Sequence, residues 1–290
     1  MWRSLAVADD GPMPEGHTLF ALARDLDTAF RGTSPTVTSP QGKFAGGAAL
    51  VSGHEVLEAT SWGKHLFVEF AGDRILWVHL GLIGTFTIDT TSYAGELPVI
   101  GQVRCRFTTD DHVADLRGPM VCDVVTPEKV DEVLARLGPD PLRPNDLRSD
   151  PDLAWKRIQR SGKSIAELLM DQAVLAGVGN VYRSEVLFRL RVNPFRPGNK
   201  LQRKTWRAIW EDLVALLPIG VATSKIITIH EQVDDVARAL EAGEDVRMTT
   251  RDSYVYKRQG EACHVCGSRI RTQVVAGRNL FWCGNCQRRG

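Results

Sequence analysis

Four cysteines constrain this chain more than any other feature. They stand as Cys263-His264-Val265-Cys266 and Cys283-Gly284-Asn285-Cys286, with sixteen residues between the two pairs. Two Cys-x2-Cys knuckles at that spacing converge on one tetrahedral zinc, filling all four positions with thiolate and leaving none for substrate. Such a zinc is structural, one per chain. The competing readings are two disulfides or an accidental cluster, and six cysteines in 290 residues are too few for a disulfide framework. His264 reads as a knuckle residue, and Cys105 and Cys122, which lack metal spacing, as core or pocket thiols. Between the knuckles, Arg269 to Arg271 and Val274 to Trp282 read as two strands of a hairpin with Arg278 at its tip. An arginine there suits a phosphate, with a solubilising surface cation as the alternative.

Charge points the same way through its distribution, not its total. The chain carries 36 Lys and Arg against 35 Asp and Glu, a net charge of +1, yet residues 247–290 hold nine basic residues and two acids. A basic C-terminal segment is suited to phosphates. No apolar run approaches the ~20 residues of a membrane span. Residues 1–12 have no periodicity and are too short and acidic for a signal peptide, so they read as a leader or a mis-chosen start, with a cytoplasmic protein as the expectation.

From Leu19 the apolar positions Leu22, Leu26 and Phe30 follow helical spacing, with Gly32 just past the end and Pro14 and Glu15 in the first turn. Residues 48–125 read as strands: Leu66, Val68 and Phe70 alternate from Lys64 onward, and Val103, Cys105 and Phe107 alternate with Arg104 and Arg106, which share a face. A helix is expected over 127–137. This first domain, 13–137, is most simply a sandwich or barrel. Residues 138–150, rich in proline, mark a linker. Beyond it lies a helical domain, 151–246, with helices expected near 152–160, 164–175, 181–190 and 201–217, and then the hairpin region 247–290. Gly177 and Gly179 permit positive φ in the loop 176–180, and a helix N-terminus just beyond offers N–H groups to an anion; a neutral turn is the alternative. The acidic stretch 231–245 reads as a solvated helix or a loop.

Met13-Pro14-Glu15-Gly16-His17 has a chemical reading if Met13 is the initiator. A proline freed at a terminus is a secondary amine with a pKa near ~8, able to attack an electrophilic sugar carbon. Glu15 is then its adjacent acid/base partner. The alternative is that Pro-Glu simply starts a helix.

Taken together, the chain resembles the formamidopyrimidine-DNA glycosylase/endonuclease VIII family, in its actinobacterial endonuclease VIII-like branch. The resemblance runs from Met13 to Gln287. It is carried by Met13 to Thr18, Trp62-Gly63-Lys64-His65-Leu66, His79-Leu80-Gly81-Leu82-Ile83-Gly84, Asp115-Leu116-Arg117-Gly118, Leu169-Met170-Asp171-Gln172, Gly177 to Glu185 and the terminal hairpin. It implies an α+β fold: an N-terminal β-sandwich, a helix-two-turns-helix domain and a β-hairpin zinc finger. The implied activity is excision of oxidised bases from damaged double-stranded DNA, with strand cleavage by β,δ-elimination, in a monomer associated with the nucleoid.

By that resemblance Pro14 is the nucleophile at C1′, Glu15 the acid/base at the sugar, and Lys64 an aid at the lesion and in β-elimination. Asn180 and Arg278 hold phosphates, Arg278 also serving δ-elimination. Leu82 is the wedge that fills the gap left by a flipped base, and Arg117 faces the orphaned partner. Three departures matter. Gly118-Pro119 stands where the purine-lesion branch has a phenylalanine. Ile226-Ile227-Thr228 and an acidic run replace a glycine- and threonine-rich capping loop. Both changes favour oxidised pyrimidines. Twelve residues precede Met13, and if they are retained the chain is a non-catalytic binder of damaged DNA. A zinc-ribbon transcription regulator would account for Cys263 to Cys286 alone.

Overall fold

The computed structural model describes residues 14–90, 97–244, 246 and 252–288; the expected leader 1–12 and Met13 lie outside the described residues. The chain divides into two compact units, one ending at Arg136 and the other beginning at Leu137.

In the first unit, α1 (Gly16–Phe30), β1 (Thr36–Thr38) and α2 (Ala45–Val51) precede the strands β2 (Val56–Trp62), β3 (His65–Phe70), β4 (Arg74–His79), β5 (Thr85–Thr90), β6 (Val103–Thr108), β7 (His112–Arg117) and β8 (Val121–Val125), and α3 (Pro127–Leu134) follows. They form two four-stranded sheets, in the orders β1-β6-β7-β5 and β2-β3-β4-β8, with every pairing antiparallel. One apolar core draws on both: Leu66, Val68, Phe70, Leu76 and Val78 from one sheet join Phe86, Cys105, Phe107, Ala114 and Leu116 from the other. Phe70 and Phe107 meet edge to face at 5.7 Å. This is the expected sandwich, and Leu19, Leu22, Leu26 and Phe30 of α1 complete its core.

Two sequence expectations shift by small amounts. Glu15 has extended backbone (φ −113°, ψ 178°) and is the residue before the helix, so α1 begins at Gly16 and Pro14 lies outside its first turn. The strand expected from Lys64 begins one residue later, because Trp62 pairs with His65 and Gly63 (φ +57°) forms a two-residue turn with Lys64. Phe67 breaks the simple alternation by being buried on the opposite face, where α3 covers the sheet with Val133.

The second unit contains α4 (Pro151–Ile158), α5 (Ile165–Leu168), α6 (Asn180–Arg189), α7 (Arg203–Thr223), α8 (His230–Glu241) and the antiparallel pair β9 (Ile270–Val275) and β10 (Arg278–Cys283). The helix expected over 164–175 is only one turn long. Ser164 and Glu167 form a capping box at its start. Its end is set by Asp171, whose Oδ1 accepts the Ala173 N–H at 3.0 Å and whose carbonyl accepts Val174, replacing helical bonds by an Asx turn. Conversely, α7 runs six residues past its expected end despite Pro218, because Ile219, Gly220 and Val221 continue its buried face. The acidic stretch resolves as helix α8, seated through Val236 on Ile219 and Ile227.

The proline-rich stretch packs closely on this unit: Gly138 N–H donates to Gln172 O at 2.8 Å and Ala176 N–H to Pro139 O at 3.0 Å. Glu185 of α6, fully buried, accepts the backbone N–H groups of Tyr254, Val255 and Tyr256 at 2.8–2.9 Å and the Thr228 hydroxyl at 2.7 Å. Four donors compensate a carboxylate that would otherwise be costly to bury, and they fix the chain that leads into the hairpin.

Candidate catalytic residues, phosphate site and zinc centre

Pro14 and Glu15 are both buried, Glu15 being 1% exposed at the head of α1. At the other end of the helix, Asp27 Oδ1 accepts the Ala59 N–H and Arg31 Nε donates to Leu57 O, tying it to the start of β2. The helix packs on β2 and β3 and has 15 residues, about 22 Å at 1.5 Å each, close to the ~23 Å of a seven-residue strand. It runs antiparallel to β2, which the Gly63–Lys64 turn joins to β3.

Beside that turn His65 and His79 stand opposite each other in β3 and β4, ring centroids 4.9 Å apart. Trp77 Nε1–H donates to His65 Nδ1 at 3.0 Å, and Gly81 N–H donates to His79 Nδ1 at the same distance. Each imidazole thus presents a lone pair at Nδ1 and is neutral. Burial pushes the His65 pKa down to about 4, with His79 and Lys64 acting in the same direction; burial and Lys64 lower that of His79. His79 is not among the expected site residues, although it heads the His79-Leu80-Gly81-Leu82 motif. It fixes two neighbouring turns at once, since its carbonyl also accepts the Met120 N–H at 2.8 Å. Those turns carry Leu82 (51% exposed), Ile83 (83%) and Met120 (67%), three large apolar side chains left in solvent. Arg117 ends β7 between them, its Nη2 donating to Asp115 Oδ2 at 2.7 Å and its Nε to Ile100 O at 3.0 Å.

Cys105 and Cys122 sit in the core, and burial raises both thiol pKa values, that of Cys122 to about 12. Thiols held protonated are poor nucleophiles, consistent with structural roles.

In the second unit Asn180 is the first residue of α6 and is buried. Its Nδ2 donates to Asn279 O at 2.9 Å, and its Oδ1 accepts from Arg183 Nη2. Arg183, fully buried, reaches the hairpin too, through Nη1 to Val275 O at 3.2 Å. Gln172 shapes the loop before the helix: Oε1 accepts Gly177 N–H and Nε2 donates to Val178 O, both at 2.9 Å. Gly177 has φ +85°, whereas Gly179 is extended, so only one of the two glycines uses its freedom. The hairpin tip is Ala276-Gly277, both at positive φ, as a two-residue type I′ turn requires. Arg278 follows it as the first residue of β10, half-buried and paired with Val275.

The four cysteines close the hairpin's far end, all their sulfurs within 4.8 Å of one another. Cys263 and Cys286 sulfurs are 3.9 Å apart and those of Cys266 and Cys283 3.5 Å apart. Sulfurs about 2.3 Å from a tetrahedral zinc lie roughly 3.8 Å apart, so the donor set fits one structural zinc.

Three family models match the chain in order: the formamidopyrimidine-DNA glycosylase N-terminal domain over residues 13–119, the formamidopyrimidine-DNA glycosylase H2TH domain over 137–232, and the zinc finger found in FPG and IleRS over 260–289. Endonuclease 8 1 of Mycobacterium tuberculosis is 47% identical over 276 residues, covering 95% of this chain and all of that protein. The chain belongs to the formamidopyrimidine-DNA glycosylase/endonuclease VIII family. Formamidopyrimidine-DNA glycosylase of Thermus thermophilus is a more distant member, 31% identical over 83% of this chain and 86% of its own length. The crystal structure of the MutM (Fpg) protein from the same organism superposes with a TM-score of 0.73 at 26% identity, covering 94% of this chain and 98% of that one. A Lactococcus lactis Fpg in complex with DNA containing N7-benzyl-Fapy-dG shares the fold, with a TM-score of 0.77 at 22% identity, 95% of this chain and all of that one. The protein is thus a member of a DNA-repair glycosylase family, built as a β-sandwich, a helix-two-turns-helix domain and a zinc hairpin.

Proposed function

We propose that this chain is a bifunctional DNA glycosylase and abasic-site lyase that removes oxidised bases, pyrimidines before 8-oxoguanine, through an imine on Pro14. The reading is carried by Glu15, a carboxylate buried at the head of α1 directly after a proline, in a chain of this family. The family match beginning at residue 13 supports Met13 as the initiator whose removal frees the proline.

The steps follow from the groups. The Pro14 nitrogen attacks C1′ of the flipped nucleotide, and the C1′–N bond to the base breaks with its electrons leaving on the base. The attacking nitrogen gives up its N–H proton, which passes to the departing base. Glu15 donates a proton to the sugar ring oxygen, so the C1′–O4′ bond breaks, the ring opens and the freed nitrogen lone pair forms the iminium. Loss of a C2′ proton then expels the 3′ phosphate, and a second elimination expels the 5′ phosphate. Lys64, in the turn between β2 and β3, assists the first elimination. Asn180 and Arg278 hold the flanking phosphates, and Arg278 serves the second elimination; Asn180 has its second Nδ2 hydrogen to offer. Leu82 enters the stack, and Arg117 meets the orphaned base. Leu82, half-exposed in the turn before Thr85, which pairs with Arg117, supports both assignments. The zinc, with four thiolates, takes no chemical part. We further propose that the protein acts as a cytoplasmic monomer on nucleoid DNA; among the described residues no helix is long and apolar enough to cross a membrane.

Borohydride reduction during reaction with a duplex containing one oxidised pyrimidine tests the proposal. Protein beginning at Pro14 should give a covalent complex with mass located on that residue, and protein retaining residues 1–12 should give none. Absence of trapping by the shorter form overturns it and leaves a binder of damaged DNA.

A further inference from the structure

Arg106 has no part in this chemistry, yet among the described residues of the first unit it is the buried arginine, 9% exposed. Its Nε and Nη2 donate to Oδ1 and Oδ2 of Asp115, each at 2.7 Å, and its Nη1 donates to Leu97 O at 2.7 Å. Asp115, 4% exposed, lies opposite Arg106 in the β6–β7 register and opposite Thr87 in the β5–β7 register. Two residues along the same strand face, Arg117 donates from Nη2 to the same Asp115 Oδ2, from Nη1 to Thr87 Oγ1 at 3.2 Å, and from Nε to the Ile100 carbonyl. One carboxylate is thus shared by two guanidinium groups, one buried behind it and one at the end of β7.

A buried ion pair is a poor source of stability, since desolvation offsets most of its attraction and an apolar pair of the same volume serves as well. What such a pair supplies is geometry. Arg106 grips both carboxylate oxygens in a planar fork and so fixes the direction from which Asp115 can accept a further donor. Arg117 therefore has its guanidinium held from both flanks, by Asp115 and Thr87 of the sheet and by the Ile100 carbonyl, with Nε, Nη1 and Nη2 all engaged.

We propose that Arg106 and Asp115 are positioning residues that lock Arg117 before DNA arrives, so that discrimination of the base opposite the lesion is built into the free protein. The inference rests on the assignment of Arg117 made above. A loosened Arg117 would still reach that base, but would turn to suit any acceptor edge, and discrimination would fall while chemistry at the sugar continued.

Two readouts test this. In the free protein, the ¹⁵N-labelled Nε–H of Arg117, assigned by its loss in Arg117→Lys, should be rigid, with an order parameter of ~0.85 that drops below ~0.6 in Asp115→Asn. The spread of single-turnover excision rates over the four opposite bases should shrink at least fivefold in Arg106→Lys and Asp115→Asn. Cleavage of an abasic site in single-stranded DNA, where no opposite base exists, should stay within twofold of the parent. If Asp115→Asn does not fold, Arg106→Gln with Asp115→Asn keeps a neutral hydrogen-bonded pair and should show the same shrinkage. An unchanged spread in these variants, with an altered one in Arg117→Ala, overturns the positioning role and leaves Arg117 as the reader. An unchanged spread in Arg117→Ala overturns the assignment beneath it.

Discussion

Asn180 and Asn279, ninety-nine residues apart in sequence, are joined by a 2.9 Å hydrogen bond from the Asn180 Nδ2 to the Asn279 carbonyl. The bond fastens the head of α6 to the zinc hairpin, and Arg183 doubles it by reaching Asn180 Oδ1 and the Val275 carbonyl. Both proposed phosphate-holding residues are thereby set by one side-chain network within the second unit.

Asn180→Ala should therefore do more than delete a contact. It leaves a part-buried Asn279 carbonyl and one buried Arg183 N–H without their partner, a loss of about 2 kcal/mol. Urea unfolding should show that loss, and duplex affinity should fall with it. A variant as stable as the parent but weaker on DNA would mean that Asn180 touches phosphate without organising the hairpin.

How far the sequence foretold this arrangement depended on how local each determinant is. The zinc centre was legible because its four ligands lie within 24 residues and their spacing is itself the geometry. Helix α1 was legible because Leu19, Leu22, Leu26 and Phe30 repeat with its period. Lys64 and Arg278 were each displaced by one residue, since hydrophobic alternation does not reveal where a two-residue turn begins. The long helix expected after Ser164 failed because the Asp171 side chain outcompetes the backbone for the Ala173 N–H. Glu185, beneath three backbone donors nearly seventy residues away or more, and Arg106, behind Asp115 on a neighbouring strand, had no local signature. Their roles exist only once the chain has folded.

The zinc hairpin yields a second prediction. Cys283 is buried and lies in β10, on the strand that carries Arg278 and Asn279. Extracting the metal with an organomercurial reagent should release one zinc per chain, read with a colorimetric chelator. The thiolates would then repel one another and the hairpin would lose its closure. Duplex affinity should fall at least tenfold, while the far-ultraviolet helix signal from α6 and α7 remains. Retained affinity after full release would show that Asn180 and Arg183 hold the hairpin without metal.

The last prediction concerns acid stability and follows from His65. Its Nδ1 accepts the Trp77 indole N–H, and the folded pKa is about 4, below the ordinary 6.5, chiefly through burial. The unfolded chain thus binds the extra proton first, so the contribution is flat above about pH 6.5 and stability falls as pH drops towards 4. Below that both states are protonated and the loss from this group stops. His79, lowered in the same direction, adds to the fall. His65→Gln keeps an acceptor for Trp77 but cannot titrate. Between pH 7 and 4 the parent should lose roughly 2–3 kcal/mol more than this variant in urea unfolding. Parallel curves would mean that His65 is protonated in the folded protein and that the Trp77 N–H points elsewhere in solution.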